Sequence, residues 1–134
     1  MSAIVPNGSP DLSGSGSRAR FSRSSRLLRH ADFERVYKQG QRHFAAHMTV
    51  FYLRRAQGDA ARVGFTVGRV LGGAVDRNRM KRRLREAVRR NLPPGVPMDI
   101  VINPKKSLLT ANFADLQDEV SRAFAVIQKA TRNR

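Results

Sequence analysis

Residues 62–91 read RVGFTVGRVLGGAVDRNRMKRRLREAVRRN, and within them one hydrophobic period gives way to another. From Arg62 to Gly68 the period is two: Val63, Phe65 and Val67 point one way, Arg62, Gly64 and Thr66 the other. That alternation predicts a strand. Leu71-Gly72-Gly73-Ala74 interrupts it as a loop. From about Val75 to Asn91 the period is helical, and Met80, Leu84, Ala87 and Val88 form one narrow apolar stripe. Leu92-Pro93-Pro94-Gly95 stops the helix. Met98 to Ile102, an apolar run between Pro97 and Pro104, predicts a further strand.

Upstream, Phe33, Val36 and Tyr37 share one helical face, which predicts a helix over His30 to Gln39 with Gly40 at its C-terminal cap. Met48 to Leu53 is apolar on both faces and predicts a strand buried on both sides or nearly so. A short strand near Arg42 to Ala45 precedes it, and Gln57-Gly58-Asp59 makes the turn that follows. Downstream, Phe113, Leu116, Val120, Phe124 and Ile127 keep helical spacing, with Asn112 as N-cap and Asp115 in the first turn. This predicts a helix over about Asn112 to Lys129 that packs on the sheet. The order α-β-β-β-α-β-α argues for an α+β fold, a central sheet with helices packed on it.

The 134 residues suit one domain. Residues 1–17 hold five Ser, three Gly, two Pro and one charge, too little apolar surface to offset ordering entropy, so a disordered tail is expected there. Residues 18–29 bring Arg18, Arg20, Arg23, Arg26 and Arg29 with Phe21, Leu27 and Leu28, a basic arm. The folded domain is then expected over 30–129, with 130–134 as a short tail.

Lys and Arg number 26 against 10 Asp and Glu, a formal charge of +16. So dense a positive field concentrates polyanions, either nucleic acid or an anionic membrane. The longest strongly apolar run, Val50 to Leu53, falls far short of the roughly 20 residues of a spanning helix. The N-terminus carries no Lys or Arg before Arg18 and no apolar run of signal-peptide type. With no cysteine, disulfides and thiolate metal sites are excluded. A cytoplasmic location is expected.

The helix after the glycine pair carries the charge. Asp76 to Arg90 holds eight positive and two negative residues, with seven Arg to one Lys. Asn78, Arg82, Arg85 and Arg89 form a column opposite the apolar stripe, flanked by Arg79 and Arg90 on one edge and Lys81 on the other. Like charges at these spacings each cost a helix about 0.2–0.5 kcal/mol unless an anion answers them. Arginine forks bind phosphate bidentately and stack on bases. The amides of Gly72 and Gly73, at the positive end of the helix dipole, suit another phosphate. The stripe is too narrow for a helix lying on a membrane.

Arg77-Asn78-Arg79-Met80-Lys81-Arg82 resembles the signature on the basic helix of the bacterial ribonuclease P protein family. Arg62-Val63-Gly64-Phe65-Thr66-Val67 and Gly72-Gly73-Ala74-Val75 resemble the strand and loop that precede it, and Asp32 to Gly40 resembles the family's first helix. The resemblance covers about residues 26 to 127. It implies a mixed sheet in which the strands flanking the basic helix are parallel and joined by a left-handed crossover. It implies that a large RNA subunit with bound Mg2+ does the cutting, and that no side chain of this chain is catalytic or holds a metal firmly. The partners implied are that RNA and precursor tRNA, with no membrane and no obligate protein partner.

Carried over by position, the resemblance places Arg69, Arg77, Asn78, Arg79, Lys81, Arg82, Arg85 and Arg89 on the catalytic RNA. Phe33, Tyr37, Phe51 and Thr66 would line a cleft for the unpaired 5′ leader. From spacing alone, Phe33 and Tyr37 are more often core residues, and it is the resemblance that puts the cleft reading level with the core one. Three positions depart from the family pattern: Val70 where a second basic residue is common, Gly73 where a polar one is, and Asn103-Pro104 in place of Arg-Pro. Two other classes stay in view, a ribosomal RNA binder and a self-contained nuclease. The nuclease has only His30, His43 and His47 as histidines, without convergent carboxylates.

Overall fold

A computed structural model of the chain describes residues 26–27, 29–56, 58, 60–92 and 96–132. The tail over 1–17, most of the basic arm, Gln57 and Asp59 of the turn, and Pro93-Pro94-Gly95 lie outside the described residues. The elements are α1 (His30–Gln39), β1 (Gln41–Phe44), β2 (Met48–Arg54), β3 (Arg62–Phe65), α2 (Ala74–Arg89), β4 (Met98–Pro104) and α3 (Phe113–Arg132). Short 3-10 turns stand at Arg69–Leu71 and Lys106–Leu109. The expected α+β order is the one found.

The strands form one mixed sheet in the order β1-β2-β4-β3. β1 and β4 each pair antiparallel with β2, and β3 pairs parallel with β4. The parallel pair is joined through α2, the β-α-β unit that the resemblance implied. Before α1 the chain runs beside β3: Arg26 bridges Val63, and the Leu27 amide donates to the Val63 carbonyl at 2.9 Å. Leu27 is fully buried, so the anchored chain begins ahead of the first helix.

The two sheet faces carry different cores. Met48, Val50, Tyr52, Val63, Phe65, Met98, Ile100 and Ile102 meet the stripes of α2 and α3 in the larger one. On α2 that stripe is Met80, Leu84, Ala87 and Val88, all buried, as the periodicity predicts. The opposite face holds a smaller core of Leu27, Phe33, Val36 and Val101, with Phe51 and Leu53 packed partly against it. Here β2 departs from expectation. Met48, Val50 and Tyr52 are buried, but Thr49, Phe51 and Leu53 are only half-buried, because the ten-residue α1 covers just part of this face.

Gly64 lets α1 come close: a Cβ there would stand 2.4 Å from Phe33 Cζ. Gly40 likewise ends α1 by close approach, since a Cβ would lie 2.5 Å from the Tyr52 and Val36 carbonyl oxygens. Its backbone is extended, not left-handed as the capping reading implied. The β3 ladder stops at Phe65, short of the expected Gly68. Thr66 still donates to the Ile102 carbonyl at 3.0 Å, but the next amide in a parallel ladder falls to Pro104, which has none. Asn112 caps α3, its Oδ1 accepting from the Ala114 amide at 2.8 Å, and the helix continues to Arg132, beyond the expected Lys129.

One polar group sits inside the smaller-core face. Asp99 of β4 is 0% exposed. Arg62 grips it with two bonds of 2.9 Å, Arg55 donates at 2.8 Å and Arg35 at 3.1 Å. Asp32, nearly buried in α1, accepts from Arg35 at 3.0 Å and lies 3.8 Å from Arg62. The Asp99 hydrogen bond raises the Arg62 pKa above its ordinary value, so the guanidinium stays charged. Removing one partner of a buried ion pair strands the others, at a cost of about 3–5 kcal/mol. Asp99→Ala is therefore expected to lower unfolding free energy by about that amount in urea titration. A loss near zero would show that solvent reaches the cluster and screens it.

Candidate nucleic-acid interface

The outer side of α2 is a cationic ridge. Asn78, Arg79 and Arg82 are exposed, while Arg77, Lys81 and Arg85 are half-buried. No carboxylate among the described residues pairs with Arg79, Lys81, Arg82 or Arg85. Burial, then Arg77 and Arg85, push the Lys81 ammonium below its usual pKa. Burial, then Arg26 and Arg82, do the same to Arg85. Both shifts express one condition: crowded cations partly withdrawn from water, with no counter-charge supplied by the described residues.

The ridge is not uniform. Arg89, expected in the outward column, donates to both Glu86 oxygens, at 3.0 and 2.6 Å, and Arg90 joins it at 2.9 Å. The Arg89 hydrogen bond leads in holding the Glu86 carboxyl below the usual carboxylate range. Arg83 turns away to the Ala111 carbonyl, with its guanidinium 5.8 Å from the Phe113 ring centre. The glycine loop also differs from expectation. The Gly72 amide already donates to the Arg69 carbonyl at 3.1 Å, and the Gly72 carbonyl accepts from Arg77 Nε at 3.1 Å. Arg69 and Gly73 are exposed, and Val70, between them in the chain, is an exposed apolar residue.

A cleft of about 550 Å3 lies beside the ridge. Its walls are His30, Phe33 and Tyr37 of α1, Phe65 to Gly68 at the end of β3, and Arg77 and Lys81 of α2. Tyr37 is fixed there by its hydroxyl, which meets Thr66 Oγ1 at 2.8 Å and donates to Asn103 Oδ1 at 2.9 Å. Its ring stands edge-on to Phe51, with centroids 4.9 Å apart at 87°. Tyr37 and Thr66 line this cleft, and Phe51 meets the Tyr37 ring without being one of its walls. Phe33 is only 6% exposed and belongs chiefly to the smaller core, so it offers the cleft little surface. Asn103, noted from sequence only as a departure from the family's Arg-Pro, and Arg42, not a candidate there, join this group, and the Arg42 guanidinium lies 5.9 Å from the Phe51 ring centre.

The histidines do not converge. His47 Nδ1 is 2.8 Å from Ser107 Oγ, its amide donates to Glu119, and His43 lies on β1. Among the described residues no three His, Asp or Glu side chains are placed to hold a metal ion, and the two buried aspartates are occupied by arginines.

A basic helix docked on a mixed four-stranded sheet, beside an aromatic cleft, defines an α+β protein shaped to meet a polyanion. A family model described as Ribonuclease P matches residues 21–128. The chain belongs to the ribonuclease P protein family, whose members are protein components of an endoribonuclease of tRNA processing that includes an RNA partner. It is 35% identical over 111 residues to the ribonuclease P protein component of Geobacter sp. strain M21, across 83% of this chain and 95% of that one. The component from Symbiobacterium thermophilum is 42% identical, across 74% and 87%. The solved ribonuclease P protein from Thermotoga maritima superposes with a TM-score of 0.62 at 30% identity, covering 72% of this chain and 96% of that one.

The Glu86 pairs make a specific prediction. Glu86→Gln releases Arg89 and Arg90, and each arginine that then finds a phosphate should steepen the salt dependence of RNA binding by about 0.7–0.9 in log–log slope. Filter binding over a salt series measures this, and an unaltered slope would mean both arginines remain directed away from RNA.

Proposed function

We propose that this protein binds the catalytic RNA subunit of ribonuclease P along α2 and guides the unpaired 5′ leader of precursor tRNA through the cleft beside Tyr37 and Phe51. The RNA subunit with its Mg2+ ions performs the cut and leaves a mature tRNA 5′ end. The observation that carries the reading is the set of cations on α2, Arg79, Lys81, Arg82 and Arg85, for which the described residues supply no carboxylate. A polyphosphate backbone answers that deficit along the whole helix. Arg69, Arg77 and Asn78 extend the same contact, whereas Arg89 is held by Glu86 and adds to it only where that pairing gives way.

The cleft suits a ligand without fixed sequence. Stacking on an aromatic ring is worth about 1–3 kcal/mol per base and accepts any base. Mg2+ belongs to the RNA in this reading, since the acidic groups of this chain that converge are already neutralised by Arg35, Arg55 and Arg62. The place of action is the cytoplasm. No helix among the described residues is long and apolar enough to cross a membrane.

The decisive experiment is reconstitution. Protein and RNA subunit together should cleave precursor tRNA at moderate ionic strength, and protein alone should not. With five or six phosphate contacts, log K for the RNA subunit should fall with log salt at a slope of about −4 to −5. Replacing Arg82 and Arg85 together by Ala should make it shallower by about 1.4–1.8, and a wild-type slope near −1 would remove the extended contact.

The cleft is tested separately. Phe51→Ala should weaken binding of precursor tRNA by about 1–3 kcal/mol relative to mature tRNA, with circular dichroism confirming the fold. Equal losses for both RNAs would place the ring outside the leader path.

A further inference from the structure

The aromatic surface beside the cleft does not end at Tyr37 and Phe51. Arg42 of β1 stands opposite Phe51 of β2, so the two side chains share a sheet face. Phe44 lies two residues along β1 on that face. The Arg42 guanidinium is 5.9 Å from the Phe51 ring centre and 5.6 Å from that of Phe44, so one cation serves both rings. Together with the Tyr37–Phe51 contact, this makes an unbroken row: Tyr37, Phe51, Arg42, Phe44.

Phe44 is 68% exposed and sits on an edge strand. Single exposed apolar residues are ordinary. A bare aromatic on a sheet edge is less so, because such edges invite pairing with other chains and are commonly guarded by charge. One cation stands against this ring, and a second lies near the end of its strand. Arg42 has no carboxylate partner among the described residues, and Lys105 Nζ reaches the Ala45 carbonyl at 3.4 Å, at the same end of β1. An open ring beside an arginine, with a lysine near the end of the same strand, matches an unpaired nucleotide, base on the aromatic face and phosphate on the cations.

We infer that Phe44 and Arg42 form an additional nucleobase subsite, which extends the single-strand path across β1 by one further leader nucleotide. The inference rests on the leader reading proposed above. It gives the chain a preference for leaders long enough to reach the sheet edge.

The test uses the reconstituted holoenzyme and precursor tRNAs whose leaders lengthen one nucleotide at a time, with affinity measured under non-cleaving conditions. In the wild type, affinity should climb with leader length to a plateau. Phe44→Ala should reduce the ratio of long-leader to short-leader affinity by about five- to tenfold, the lower part of the range for stacking on an aromatic. Phe44→Trp should restore it, since any aromatic face serves. If the wild type climbs and Phe44→Ala matches it at every length, the subsite is refuted while the cleft reading stands. A wild type indifferent to leader length overturns the cleft reading and the subsite with it. Equal losses at all lengths, or a concentration-dependent dimer that Phe44→Ala abolishes, assigns Phe44 to folding or self-association and also overturns the subsite.

Discussion

The Asp99 carboxylate, wholly withdrawn from water, sets the arrangement of everything on its side of the sheet. It lies on β4 and draws in Arg62 from β3, Arg55 from the chain after β2 and Arg35 from α1. A buried anion is tolerable only when its oxygens are fully engaged. The engagement therefore fixes where α1 can sit, and with it how much of the sheet α1 covers. Three arginines of a very basic chain are thereby structural, and the rest of the positive charge is left to other surfaces.

Because α1 is short and pinned at the Asp99 end, the far half of that face stays open. Phe51, Thr66 and Asn103 lie there, with Tyr37 leaning over them. The opposite face has no such vacancy, since α2 and α3 together seal it. The basic ridge thus rides on a rigid base, and its Arg77 and Lys81 reach the wall of the cleft. One contiguous surface results: a row of guanidinium groups running into an aromatic trough. A folded polyribonucleotide and an unpaired strand can approach it side by side.

Most of this frame was legible in the sequence because the periodicities were clean. The α2 stripe of Met80, Leu84, Ala87 and Val88 is buried as its spacing required, and α1 spans the residues that Phe33, Val36 and Tyr37 implied. What stayed hidden depended on contacts far apart in the chain. The Asp99 cluster joins residues up to 64 positions apart, and only the oddity of an aspartate in an apolar strand hints at it. Arg89 looked free on a helical wheel, but Glu86, three residues earlier, claims it. Phe33 and Tyr37 share one helical face, and only the sheet beneath separates a core ring from a cleft ring. The end of β3 was set by Pro104 on its neighbour, which no reading of β3 alone could reveal.

The hydroxyl of Tyr37 has a consequence for how the trough works. Held between Thr66 and Asn103, the side chain has surrendered its rotational freedom before any partner arrives. Immobilising a free side chain on association costs about 0.5–1.5 kcal/mol, and here folding has already met that cost. On the proposed reading, an unpaired strand would meet a finished surface and lose less of its binding free energy to ordering the protein.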